Sequence, residues 1–374
     1  MSAARDASDV TQRNDYRTRY INYYGRKKNT VNAIINIDGG SGAANESSEL
    51  IYLHVGATMV NPAELESQTA IIQPLPNQVA NLQIPPNFLP SNYIPLGVVV
   101  TGGYTYLTDG SSNLYILSPP PPLIVPFPGP ITSISPGSNG LYVAVGSNIY
   151  IYSSNGITNI NSPGLSNVSQ MAVSSNGIFV LQGGSSTITF VTGTSNITFG
   201  STPGFADGIS AQFNNPMGIV LDPTGQYLYV ADTGNSLIRK MDTTSPYVVS
   251  TIAGNTTGFY APFPTDSVGN RDGNGLHGQS LLYHPESITI SPSGILYIAD
   301  TFNNDIRQLT PDGNLTTIAG VAGVDPIYDI SPPGYVNAAG SLSRWNNPSA
   351  ITYYNSSVYI TEPLNGAVRI LNLV

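Results

Sequence analysis

Three acid and arginine pairs recur at one spacing in the second half of the chain: Asp232 with Arg239, Asp300 with Arg307, and Glu362 with Arg369, seven positions apart each time. A carboxylate beside a guanidinium could move a proton or clamp an anion. Recurrence in three successive segments argues for a different task, because a reaction needs its catalytic group once. Each acid closes an apolar stretch and each arginine opens the next. On a strand, turn and strand hairpin the two would face one another across neighbouring strands. Asn235, Asn303 and Asn365, lying between them, suit a turn that takes left-handed backbone. All six charged residues therefore read as structural pairs.

The remaining chemistry is sparse. The histidines are His54, His277 and His284, and cysteine is absent. No His-x-His, His-Glu-x-x-His or Gly-x-Ser-x-Gly is present, and Gly137-Ser138-Asn139-Gly140 reads as a hairpin turn. His284 precedes a proline where neighbouring segments carry Asn215 and Asn347, which suggests local hydrogen bonding, whereas His277 sits in a loop that could reach a channel mouth. Asp266 and Asp272 lack the interval pattern of a calcium loop. The sequence thus predicts no catalytic residue, no metal and no cofactor, and the chain reads as not an enzyme. The Asn-x-Ser/Thr sequons are no more numerous than chance allows in so Asn-, Ser- and Thr-rich a chain, so they say nothing about glycosylation.

Charge is scarce and lopsided. Of 374 residues only 9% are charged, against roughly 25% in ordinary soluble proteins. The net charge of −9 hides a first 28 residues at +4 and a remainder at −13. Within residues 1–30, Asp9 and Gln12 form a helix-start pattern and Gly25 a stop, while Tyr16, Tyr20 and Tyr24 recur every four residues with Tyr23 beside them. The segment reads as a helical arm with an aromatic face flanked by Arg13, Arg17 and Arg19, a basic handle that would dock on protein. Nucleic acid would be reached only through these arginines. The amino terminus has no apolar run of the kind a secretory signal carries, and no stretch is long enough to be a membrane span.

The rest of the chain must supply the frame. From about residue 96 one phrase recurs: a short apolar strand, a turn, a strand with an apolar-Tyr-apolar triplet, a turn and a third strand. Leu141-Tyr142-Val143, Ile178-Phe179-Val180, Leu228-Tyr229-Val230, Leu296-Tyr297-Ile298 and Val358-Tyr359-Ile360 carry it, preceded by Tyr106-Leu107. Six small sheets that cannot each bury both faces predict an all-β fold, a six-bladed β-propeller. With 38 Gly and 30 Pro the chain is turn-rich yet globular. Three regions follow: the arm at 1–30, an extended region with a Pro-rich connector at 31–95, and the propeller at 96–374. The last unit stops at its third strand, so an earlier segment must close the ring, with 69–73 and 34–37 as candidates.

The last three units also share wording: Asn-Pro or His-Pro before the first strand, Ala-Asp-Thr after the triplet at 231–233 and 299–301, Ile-Arg at 238–239 and 306–307, and Thr-Ile-Ala-Gly at the close. Asp207-Gly208 and Asp272-Gly273 stand ahead of two of them. This wording resembles the NHL-repeat β-propellers over about 205–374 and fades over 96–200. The last unit departs, with Glu362 for Asp and Asn337-Ala338 for the acidic-Gly turn. Propeller lactonases and amidating lyases of related fold place acids or histidines around the channel in a pattern this chain does not match.

The arm from Ser8 to Tyr23 is similar to a segment of virion-associated proteins of large DNA viruses. That resemblance implies a structural, non-enzymatic interaction protein located in the virion, its propeller displayed and its arm plugged into other subunits, either capsid or assembly components or a neighbouring copy. A free propeller that binds protein or glycan as an adhesin is the alternative, and a propeller hydrolase or lyase a second one.

Overall fold

The computed structural model of the protein describes residues 54–55, 58–59 and 77–373, apart from 119–120, 161, 163, 194, 257–267, 276–278 and 321–332. The chain divides into two units, Met1–Gln73 and Pro74–Val374. In the first, His54–Val55 pairs antiparallel with Thr58–Met59. The helical arm, with Arg13, Tyr16, Arg17, Arg19, Tyr20, Tyr23 and Tyr24, lies outside the described residues, as do His277 and Asp266.

The second unit is a six-bladed, all-β propeller. Its inner strands are Gly97–Thr101, Ile131–Gly137, Val168–Ser174, Gly218–Leu221, Pro285–Ile290 and Ile351–Tyr354, each followed by antiparallel neighbours. Every inner strand lies beside the next, and the sixth returns to the first. The apolar-Tyr-apolar triplets form second strands whose alternate residues turn to opposite faces. Both faces are then covered, because each sheet stacks on two neighbours. Six apolar clusters fill the six seams: Phe179, Phe213 and Leu228 occupy the third, for example, and Tyr297, Trp345 and Ile360 the fifth. This stacking accounts for strands that are apolar on both sides yet sit in antiparallel sheets.

Tight turns join the first two strands of each blade. At Gly140 and Gly177 the backbone takes φ +133° and +156°, and a Cβ would strike the carbonyl of Tyr152 or Val191 on the third strand, so glycine is required at both corners.

Closure comes from a segment that the proline-rich composition disguises. Gln78–Asn81 pairs antiparallel with Ala367–Asn372, in the register Arg369 with Asn81 and Leu371 with Val79, and supplies the fourth strand of blade six. Its Val79 is buried against the cluster that holds Trp345 and Leu371. The candidates at 69–73 and 34–37 lie outside the described residues.

Candidate functional site: the channel mouth and its ionic frame

The recurrent charged residues are buried at one end of the ring, beside the start of each inner strand. In blade four Arg239 donates from Nη1 to Asp232 Oδ2 at 2.7 Å and from Nη2 to Asp207 Oδ1 at 2.7 Å, with Asp232 and Arg239 both fully buried. Asp232 also accepts from the Asn235 amide at 2.9 Å and from the Asn214 backbone N–H at 2.8 Å. Phe205 and Phe213 lie against the guanidinium at 5.1 and 5.3 Å. Blade five repeats the arrangement with Arg307 between Asp300, at 2.7 Å, and the half-exposed Asp272, at 2.9 Å. In blade six Arg369 meets Glu362 at 2.9 Å, donates from Nε to Asn337 Oδ1 at 3.1 Å, and stacks on Trp345 at 4.0 Å. Sequence spacing alone misses the outer acid. Asp207 and Asp272 lie over thirty residues before their arginines, and the acidic-Gly turn is their only signature.

The Asp-Thr wording serves two blades at once. The acid ties its own hairpin, while the Thr233 and Thr301 hydroxyls donate to the carbonyls of Pro285 and Pro348 in the following blade, at 2.7 and 2.8 Å. The inner acids and the arginines, buried within the blades, fix the hairpins, and Asp207 and Asp272 cover the guanidinia from the half-exposed side.

What the frame positions is a channel of about 500 Å³ running between the six inner strands. Strand register places Leu96, Thr132, Ser169, Met217, Glu286 and Ser349 at one equivalent position, at the start of the inner strands. Glu286 is the one charged residue in the six inner strands. Its Oε2 accepts from the Ser349 hydroxyl of the next blade at 3.0 Å. Burial pushes its carboxyl above the ordinary carboxylate range, partly offset by that hydrogen bond.

Beside it, His284 takes φ +50°, as Asn215 and Asn347 take +46° and +57° at the same place. Its N–H donates to Ser236 Oγ at 3.1 Å, and its ring stacks flat on Phe302 with centroids 4.4 Å apart. Burial pushes its imidazole below the ordinary value. Among the described residues no three His, Asp or Glu are grouped to hold a metal, and no helix is long and apolar enough to cross a membrane.

No protein-family model matches the chain. It is 25% identical over 169 residues to NHL repeat-containing protein 2 of Bos taurus, covering 44% of this chain and 21% of that protein. It is 28% identical over 177 residues to Protein SUPPRESSOR OF QUENCHING 1, chloroplastic, of Arabidopsis thaliana, covering 46% of this chain and 15% of that one. The chain thus spans about a fifth or less of these relatives. Among solved structures it superimposes on an auxiliary nutrient binding protein from Bacteroides ovatus with TM-score 0.58 and 16% identity, over 79% of this chain and 76% of that one. Blade count, ionic register and relatives agree: the chain carries a six-bladed β-propeller that is similar to NHL-repeat proteins over part of its length.

Proposed function

We propose that this protein is a non-enzymatic interaction propeller, held in a larger assembly by its amino-terminal segment and presenting its channel-mouth face. The distribution of positive charge carries this reading. Only six of the 13 basic residues lie beyond residue 28, and three of those, Arg239, Arg307 and Arg369, are fully buried inside the blades. Seven of the 13 cations therefore fall in the first 28 residues, against three outside the blade ion pairs in the rest of the chain. Arg13, Arg17 and Arg19, interleaved with Tyr16, Tyr20, Tyr23 and Tyr24, form the anchor. The partners are other protein subunits of the assembly, a further copy of this chain among them.

The finer form of the proposal makes that assembly a viral particle, on the strength of the arm's likeness to virion-associated proteins. Exposed Leu96, Met217, Phe302 and Leu364 around the mouth favour a binding surface on the displayed end. Deleting residues 1–30 tests the anchor. Loss of co-assembly with an otherwise folded propeller is expected, and unchanged incorporation would overturn it.

A further inference from the structure

Where the inner strands end, at the opposite end of the ring from the ionic frame, blades three and four enclose a second cavity of about 560 Å³. Three connections rim it: residues 175–176 after Val168–Ser174, residues 222–226 after Gly218–Leu221, and residues 243–244 after Leu237–Asp242. The half-buried Leu221 and the buried Phe179 and Phe190, whose rings stack with centroids 4.3 Å apart, give it an apolar lining. Some of its polar groups only hold the turns. Asp222 accepts from the Thr224 hydroxyl and from the backbone N–H groups of Thr224 and Tyr227, at 3.1 and 2.7 Å, and the Thr243 hydroxyl donates to the Gly225 carbonyl at 2.7 Å. Others are left over. Among the described residues the Asp242 carboxylate, the Gln226 side-chain amide, the Thr244 hydroxyl and the Asn176 Nδ2 make no hydrogen bond.

We infer that this cavity between blades three and four binds a neutral saccharide. Its volume falls in the range of roughly 300–1,000 Å³ that small-ligand sites occupy. A hydroxyl donates and accepts at once, and the cavity answers with both: Asp242 accepts, while Gln226 and Asn176 carry amide donors. Leu221 and the phenylalanine rings suit the C–H edge of a sugar. Charge argues against other ligands. Asp222 and Asp242 line the cavity and no cation does, so an anion is repelled. An organic cation would meet the Lys240 ammonium, held 3.4 Å from the centroid of the Tyr227 ring that lines the same cavity. A calcium ion takes six or more oxygens with several carboxylates among them, and with Asp222 engaged by its own turn only Asp242 remains. This site goes beyond the anchoring reading and stands without it, since no residue of the arm takes part.

The test titrates the full-length chain with the methyl pyranosides of glucose, galactose, mannose and N-acetylglucosamine, followed by saturation-transfer difference NMR, with glucosamine and glucuronic acid as charged controls. Saturable one-to-one binding of at least one neutral sugar is expected, tighter than either charged one. Asp242→Ala should weaken it by roughly tenfold or more, the loss of a hydrogen bond to a charged group. Gln226→Ala, in an exposed turn, should weaken it severalfold, so a folding failure of the first variant would not shelter the inference. Ser169→Ala, in the central channel, should leave it unchanged. Thermal melts certify each variant. The site is overturned by the absence of saturable binding of all four neutral sugars, by binding undiminished in both cavity variants or lost in Ser169→Ala, or by a charged sugar binding as tightly. Deletion of residues 1–30 should leave sugar binding intact and reports on the anchor alone.

Discussion

The Tyr115 hydroxyl donates to Asp109 Oδ2 at 3.2 Å, in the positions of blade one that strand register equates with Arg239 and Asp232 of blade four. The acid is kept and a neutral donor replaces the guanidinium. In blade three the same two positions hold Gln182 and Thr189, joined by a 3.3 Å hydrogen bond, and in blade two Val145 and Tyr150. One slot in the frame is thus filled by ion pair, hydrogen bond or apolar contact according to the blade.

The energetic grade of that slot is measurable. Arg307→Met strands the buried carboxylate of Asp300 and should cost about 3–5 kcal/mol in denaturant unfolding. Tyr115→Phe removes one hydrogen bond from an acid that still accepts from the Ser111 N–H, and should cost about 1 kcal/mol. Equal losses would refute the grading.

The two acids on one arginine should differ as well. Asp300 is fully buried, whereas the side chain of Asp272 is 50% exposed and also accepts from the backbone N–H and hydroxyl of Thr317, both at 2.9 Å. Asp272→Ala should cost on the order of 1 kcal/mol, water taking over much of its role. Asp300→Ala leaves the buried guanidinium with only the half-exposed Asp272 and strands the Asn303 amide and the Tyr283 N–H, and should cost several times more. The urea midpoints of the two variants, measured side by side, decide it.

The ionic slot shows how far the amino-acid sequence could be read. Blades four to six were legible because acid, Asn and Arg keep one spacing, and a hairpin turns that spacing into facing positions. Blades one to three hid the slot: shortened turns leave Asp109 and Tyr115 six apart and Val145 and Tyr150 five, while Gln182 and Thr189 keep the spacing of seven but carry no charge. The outer acids were out of reach of local periodicity, since they bond their arginines over thirty residues away. Gln78–Asn81 was invisible for another reason: it turns one side chain, Val79, into the core, and a single apolar residue among prolines gives no alternation to detect. Glu286 stood one residue past a repeated proline, where only the ring of inner strands reveals that its equivalents are neutral.

Ring closure by so short a strand makes Val79 a sensitive point. Val79→Asp would place a carboxylate against Trp345 and Leu371 and should cost 3 kcal/mol or more, by about the penalty for an unpaired buried charge. It would also free the edge of Ala367–Asn372 to pair with other chains. Ala80→Asp makes the same charge change on the exposed side of the strand and should stay within about 0.5 kcal/mol. Unfolding curves together with sedimentation give the comparison, and similar behaviour of the two variants would count against closure by this strand.

His284 gives the mouth a pH response of known sign. Its folded-state value lies below the ordinary 6.5 because burial disfavours the cation. Its contribution to stability is therefore present above pH 6.5 and lost as pH falls through the lowered value. His284→Asn adopts the residue of the equivalent positions 215 and 347, which tolerates the positive φ. The variant should gain on the native chain as pH drops below 6.5. Parallel melting temperatures across pH 7.5 to 5 would show that His284 carries no such linkage.

Glu286 titrates with the opposite sense. Burial raises its value above the ordinary 4.5, so its contribution to stability is full below that value and declines as pH rises through the folded-state value. At neutral pH the native chain bears a part-buried carboxylate without a cationic partner among the described residues, which Glu286→Gln removes. The variant should melt higher than the native protein at pH 7, and the gap should close as pH is lowered past 4.5. A variant less stable than the native chain at pH 7 would mean that the acid supports the fold.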